Sequence, residues 1–152
     1  MNIRIFTLQC ILLGSGLVFS LPPSVHAQIT GDIEAEIPFS FVVSDTTFAP
    51  GRYVIHPLGG DDPAMEIRRL DGHQSAVVLI TRSVGASIPA KTELLFVRYG
   101  DQEFLSKILV EGNEEKAEIE RSRAESALRK EGRKAELHSH PARYRKTTVN
   151  QS

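Results

Sequence analysis

Ile33-Glu34-Ala35-Glu36-Ile37-Pro38-Phe39-Ser40-Phe41-Val42-Val43 decides the fold class of this chain. Ile33, Ala35, Ile37, Phe39, Phe41 and Val43 alternate with Glu34, Glu36, Pro38, Ser40 and Val42. Successive side chains of a strand point to opposite faces, so period two places six apolar groups on one face. Pro38 has no N–H for a ladder. The strand is therefore an edge at that point or is broken into two pieces.

The same period recurs outward from this stretch. Ser44 to Arg52 reads as a turn, with Pro50-Gly51 suited to type II geometry. Tyr53-Val54-Ile55-His56 resumes a strand, and residues 57–63 form a loop rich in Gly, Pro and Asp. Met65 to Leu70 places Met65 and Ile67 on one face and Glu66 and Arg68 on the other. Asp71-Gly72 suits a hairpin turn. The return strand, Ser75 to Thr81, is apolar on both faces through Ala76-Val77-Val78-Leu79-Ile80, which predicts cover on both sides. Glu93 to Tyr99 and Glu103 to Val110 form a last hairpin through Gly100-Asp101. About seven short strands separated by turn signals predict an all-β domain, a small antiparallel sandwich or barrel.

Composition changes after Gly112. Residues 113–133 read as a charged linker and a short helix. Ser122-Arg123-Ala124-Glu125 fits a capping box and Gly132 a C-terminal stop, with Ala124, Ala127 and Leu128 expected to dock on the β-domain. Residues 129–152 carry seven basic and two acidic groups, a net +5, and residues 134–152 are expected to be a disordered basic tail.

The first 27 residues have the layout of a secretory leader: Arg4, an apolar run from Ile5 to Leu21, and Val25-His26-Ala27 before a cleavage point between Ala27 and Gln28. The apolar run is short for a spanning helix, which needs about 20 residues. Cleavage leaves about 125 of the 152 residues, enough for one domain over residues 28–112 and its C-terminal additions. It removes Cys10, the only cysteine, so thiol catalysis and cysteine-based metal sites are excluded in the processed chain. The leader's only charge is Arg4. The processed chain therefore holds 17 basic and 19 acidic groups, and its net −2 argues against a general nucleic-acid binder. No segment after the leader is long and apolar enough to span a membrane.

Three blocks carry a resemblance: Ile37 to Val43; Phe48-Ala49-Pro50-Gly51-Arg52-Tyr53-Val54; and Leu95 to Leu105, with Arg98-Tyr99-Gly100-Asp101-Gln102-Glu103 at its centre. Ser122 to Glu125 follows them. Together these resemble a group of small exported bacterial proteins of unknown function. The resemblance spans roughly residues 37–128. Ala49-Pro50 inverts that group's usual Pro-Ala order, and Glu103 stands where an aromatic is usual. The resemblance implies the fold and export. It implies no activity.

Candidate chemistry is sparse. His138-Ser139-His140 offers two imidazoles, short of the three or four ligands a specific metal site needs. His73 reads as a solvated turn residue and His56 as partly buried. Asp61, Asp62 and Asp101 lack the spacing of a calcium loop and suit turns that bond their own backbone. Ser83 and Ser87 sit in no nucleophile elbow. Glu93 and Glu103 could pair across the last hairpin, but glycoside chemistry needs a deep cleft. Arg98, Tyr99 and Asp101 form the candidate interaction surface, with Arg98 able to bond a carboxylate or stack on an aromatic. The sequence calls for no cofactor or metal. Its reading is a non-catalytic, exported binding module with an envelope or extracellular partner. The alternatives are a hydrophobic-ligand carrier lined by Phe39, Phe41, Phe96 and Phe104, and a metal-assisted enzyme.

Overall fold

The computed structural model describes residues 28–59 and 63–146; Ala27, Asp61 and Asp62 lie outside them. The fold is all-β, and the described residues hold one short helix and eleven strands where the sequence suggested about seven. In chain order these are β1 (Asp32–Ile37), β2 (Phe41–Val43), β3 (Thr46–Phe48), β4 (Gly51–Pro57), β5 (Ala64–Arg69), β6 (Ser75–Val84), β7 (Glu93–Tyr99), β8 (Gln102–Leu109), β9 (Glu115–Ile119), α1 (Arg123–Lys130), β10 (Glu136–Pro141) and β11 (Arg143–Arg145).

The strands form one sheet, in the order β10-β7-β8-β9-β6-β5-β4-β1-β11. Both ends of that path lie on one run of chain, because only Ala142 separates β10 from β11. The sheet thus wraps around a single core and closes through the backbone at Ala142. Closure of this kind removes the long open edges that a flat sheet would expose. β6 makes the opposite corner: Ser75 to Leu79 pair with β5, and Ile80 to Val84 pair with β9. The opening strand makes a third corner. It breaks between Ile37 and Phe41, the second of the two outcomes Pro38 left open, and β2 leaves β1 to meet β8 in a parallel contact at Val42 and Phe104. Every other pairing is antiparallel.

The period-two face of the opening stretch lands inside as expected. Ile33, Ile37, Phe41 and Val43 are almost fully buried, and Phe39 packs against the core from its rim. Phe41 holds Phe48, Tyr53 and Phe96 at centroid distances of 5.3, 5.1 and 5.7 Å. Two of these contacts are edge-to-face, the arrangement ring quadrupoles favour. The Tyr53 hydroxyl donates to the Ala49 carbonyl, so the one polar atom of this cluster is bonded.

Four expectations for residues 44–119 need correction. Residues 44–52 hold β3 and the start of β4 rather than one turn, since Thr46 to Phe48 fold back on β2. Gly51 is not among the glycines with positive φ, so the type II turn does not form there. β6 is covered on one face only. Val78 and Ile80 are buried, whereas Val77 and Leu79 are 60% and 57% exposed. The charged stretch after Gly112 contains β9, a central strand between β8 and β6. Its alternation puts Glu115, Ala117 and Ile119 inward and Lys116 and Glu118 outward; the acid at the first inward position hid the pattern.

The largest correction concerns the tail. Residues 136–145, expected to be disordered, form β10 and β11. Their inward positions are His138, His140, Ala142 and Tyr144, a period-two face built from two imidazoles, a methyl and a phenol. Such a face carries little hydropathy, so net charge dominated the reading of the sequence. Gly31 is where β11 seats: a Cβ there would lie 2.2 Å from the Arg145 carbonyl oxygen. Its N–H donates to the Tyr144 hydroxyl at 3.1 Å.

The helix forms where its caps require. Ser122 Oγ accepts from the Glu125 N–H at 3.0 Å. At the other end Gly132 takes φ 72°, and the N–H groups of Gly132 and Arg133 reach the Arg129 and Leu128 carbonyls, a Schellman closure. Its buried residue is Glu125; Ala124 and Ala127 are exposed and Leu128 is half-buried, so the alanines do not dock as expected.

Burial pushes the Glu125 carboxyl above its ordinary value of 4.5, and Arg121 and Arg129 pull it back only in part. A folded carboxyl with a raised pKa contributes stability that is fully present below the unfolded pKa. That contribution is lost as pH rises through the folded pKa. Glu125→Gln is therefore expected to be more stable than the native chain at pH 7, with the gap closing below about pH 4. Urea melts at the two pH values measure this, and a less stable Gln variant at pH 7 would refute it.

Candidate functional site

Cross-strand register builds the first polar cluster. Glu103 of β8 lies opposite Arg98 of β7, and Arg98 lies opposite Glu136 of β10. Glu103 is buried, accepts a hydrogen bond from His138 Nε2 at 2.6 Å and has Arg98 Nε 3.7 Å away. Arg98 also reaches Glu136 at 3.4 Å. Of the two contacts open to Arg98 in the sequence reading, the carboxylate is the one made. The His138 ring stacks on Phe96 at 5.7 Å with an interplanar angle of 20°. Glu103 is thus the acid that receives the incoming β10 strand.

The three residues read as an interaction surface separate. Arg98 is exposed but paired, and Asp101 is exposed at the hairpin turn. Tyr99 is only 8% exposed and packs edge-on against Phe104 at 6.0 Å. Tyr99 is therefore a core side chain at the hairpin end.

The remaining candidates are mostly bonded within the fold. His56 Nδ1 meets Asp32 at 2.5 Å, and His140 Nε2 meets the Glu36 carbonyl at 2.6 Å. His73 is exposed in the β5–β6 turn, and Ser87 is exposed in a loop. Glu93 binds Lys91 and the Ser139 hydroxyl at the far end of the hairpin from Glu103, so the two acids do not face each other. Among the described residues no group of three or more His, Cys, Asp or Glu could hold a metal ion.

A second cluster forms at the β6 corner, and the sequence did not single it out. Where β6 leaves β5 for β9, the sheet opens a cleft of about 730 Å³. Leu79, Ile80 and Ile119 give it apolar wall, and Lys107, Arg121, Glu118 and Glu120 give it two charges of each sign. Lys107 Nζ donates to Glu118 Oε1 at 2.9 Å, and Ser83 Oγ donates to the same oxygen at 3.2 Å. The Lys107 bond is the largest influence holding the Glu118 carboxyl below the ordinary 4.5. Desolvation opposes it, while Ser83 and Arg121 add to the lowering. Arg121 also lies 3.7 Å from buried Glu125, which ties the helix to the cleft rim. No local sequence signal marks this site, because Ser83, Lys107 and Glu118 meet only through the register of β6, β8 and β9.

No helix among the described residues is long and apolar enough to cross a membrane. Comparison with family models, curated proteins and solved structures returns no match.

Proposed function

We propose that this chain is an exported, non-catalytic binding module of the cell envelope whose ligand-facing feature is the amphipathic cleft at the β6 corner. The observation that carries this reading is the cleft itself. Apolar wall lies beside a paired Lys107–Glu118 and an exposed Arg121, the mix of surface that binding sites use for affinity and orientation. Three histidines, each a natural acid or base, are bound to Asp32, Glu103 and the Glu36 carbonyl, which fits structural roles. The four phenylalanines that would line a carrier's interior support a surface site instead. Phe41, Phe96 and Phe104 are at most 1% exposed, and Phe39 lies edge-on to Phe96 at 5.1 Å. The leader pattern of residues 1–27 supports export.

Native mass spectrometry of the protein purified from its own host tests both parts. The expected mass is that of a chain beginning at Gln28, with a co-purifying species that is lost in the Lys107→Glu/Arg121→Glu variant. An intact chain mass overturns export. A bound species that survives the double substitution overturns the cleft as its site.

A further inference from the structure

β6 leaves a short stretch of strand edge open. Arg69 N–H donates to the Gln74 carbonyl at 2.9 Å, and Ile80 N–H donates to the Pro63 carbonyl at 2.8 Å. With the intervening register continuous, these two bonds fix the phase of the ladder: Gln74, Ala76, Val78 and Ile80 direct their backbone groups at β5. Ser75, Val77 and Leu79 direct theirs the other way. At Leu79 that side is taken, since Glu120 N–H donates to the Leu79 carbonyl at 3.2 Å. At Ser75 and Val77, among the described residues, no strand lies alongside.

The other edges are guarded. β10 carries Glu136 and Pro141, β11 carries Arg143 and Arg145, and the three-residue β3 is capped where Gln74 Nε2 donates to the Thr47 carbonyl at 2.6 Å. Charge, proline, shortness and cover are the usual means of keeping an edge unpaired. The open stretch Ser75-Ala76-Val77 is short and is flanked by the Glu120 and Thr47 contacts, but it carries neither charge nor proline, and it exposes Val77 on its outer face.

We propose that this edge pairs with the same edge of a second copy of the chain, antiparallel about a two-fold axis at Ala76. The register follows from what is open. Ser75 of each copy faces Val77 of the other, so four N–H and four C=O groups are brought together and each Ser75–Val77 pair exchanges two hydrogen bonds. Placing Val77 on the axis would drive Ser75 into the Glu120 that already flanks Leu79. A second copy fits better than a charged partner because the edge is uncharged and repels no identical edge. Ser75 lies opposite Arg68 and Val77 opposite Glu66, so the flanking charges across the axis are Arg68 of one copy and Glu66 of the other, about 14 Å apart, and no like charges oppose each other there. Such an interface is isologous. It is also small, so the dimer is reversible and weak, in the range of about micromolar or above.

The test is sedimentation of the protein purified from its host across concentration, with amide exchange read residue by residue. The expected result is a concentration-dependent dimer in which the Ser75 and Val77 amides gain protection. Val77→Pro removes an N–H that β5 does not use, and it is expected to raise the dissociation constant by at least about tenfold. Should that variant fail to fold, Val77→Lys puts a charge on the same edge and carries the same expectation. A monomer up to about millimolar concentration overturns the proposal. So does a dimer that leaves both amides unprotected, or one that persists in whichever variant folds.

Discussion

Stopping the chain after Arg133 will abolish the cooperative unfolding of this domain. The lost residues include β10 and β11, which together contribute nine cross-strand residue pairs, six with β7 and three with β1. At about one ladder bond per pair and a net ~1 kcal/mol each, the loss approaches the whole stability of a domain this size, on the order of 5–15 kcal/mol. Two further costs add to it. β7 and β1 become adjacent open edges, and the rings of Phe39 and Phe96 lose His138 and His140, which lie 5.6–5.8 Å from them. Buried Glu103 also loses the imidazole it is bonded to, and a buried acceptor stripped of its donor costs about 1–3 kcal/mol by itself. Thermal melts by circular dichroism decide the matter. A truncated chain that still melts cooperatively within a few degrees of the full one would mean that the C-terminal strands are a solvated appendage.

Phe96→Ala will lower stability by about 3–5 kcal/mol and the midpoint of thermal unfolding by about 10–20 °C. Phe96 is fully buried and sits where three elements meet. It touches Phe39 at the broken corner, Phe41 on β2 and His138 on the closing strand. Removing the ring leaves a cavity that three differently anchored neighbours cannot fill by small shifts. Leu137→Ala, next to His138 but 65% exposed, is the control and should change stability by less than about 0.5 kcal/mol. Urea melts check both, with the midpoint moving and the slope unchanged. Equal effects of the two substitutions would place the core elsewhere.

Much of this fold was legible along the chain. The face of Ile33, Ala35, Ile37, Phe41 and Val43, the edge or break at Pro38, the hairpin at Gly100 and the Ser122 and Gly132 caps all came from local rules. Those rules concern one element at a time, and a strand's alternation or a helix's cap is complete within a few residues. β9, β10 and β11 were not legible because their inward positions hold Glu115, His138, His140 and Tyr144. Such residues become core-facing only when Glu103, Phe96 or Gly31 supplies a partner from far along the chain.

The two surface features on which the functional proposals rest divide in the same way. The apolar run Ala76 to Ile80 was visible, and it read as a strand covered on both faces. Only the register of β5 and β9 revealed that its outer face and part of one edge stay open, and that Lys107, Ser83 and Glu118 meet beside it. The all-β class, an edge or a break at Pro38 and the ends of the helix follow from the order of residues, because period two, proline and capping act through neighbouring residues. Tertiary structure alone decided the closure at Ala142, the burial of Glu103 and the cleft at the β6 corner. Each of these depends on residues tens of positions apart being brought to hydrogen-bonding distance.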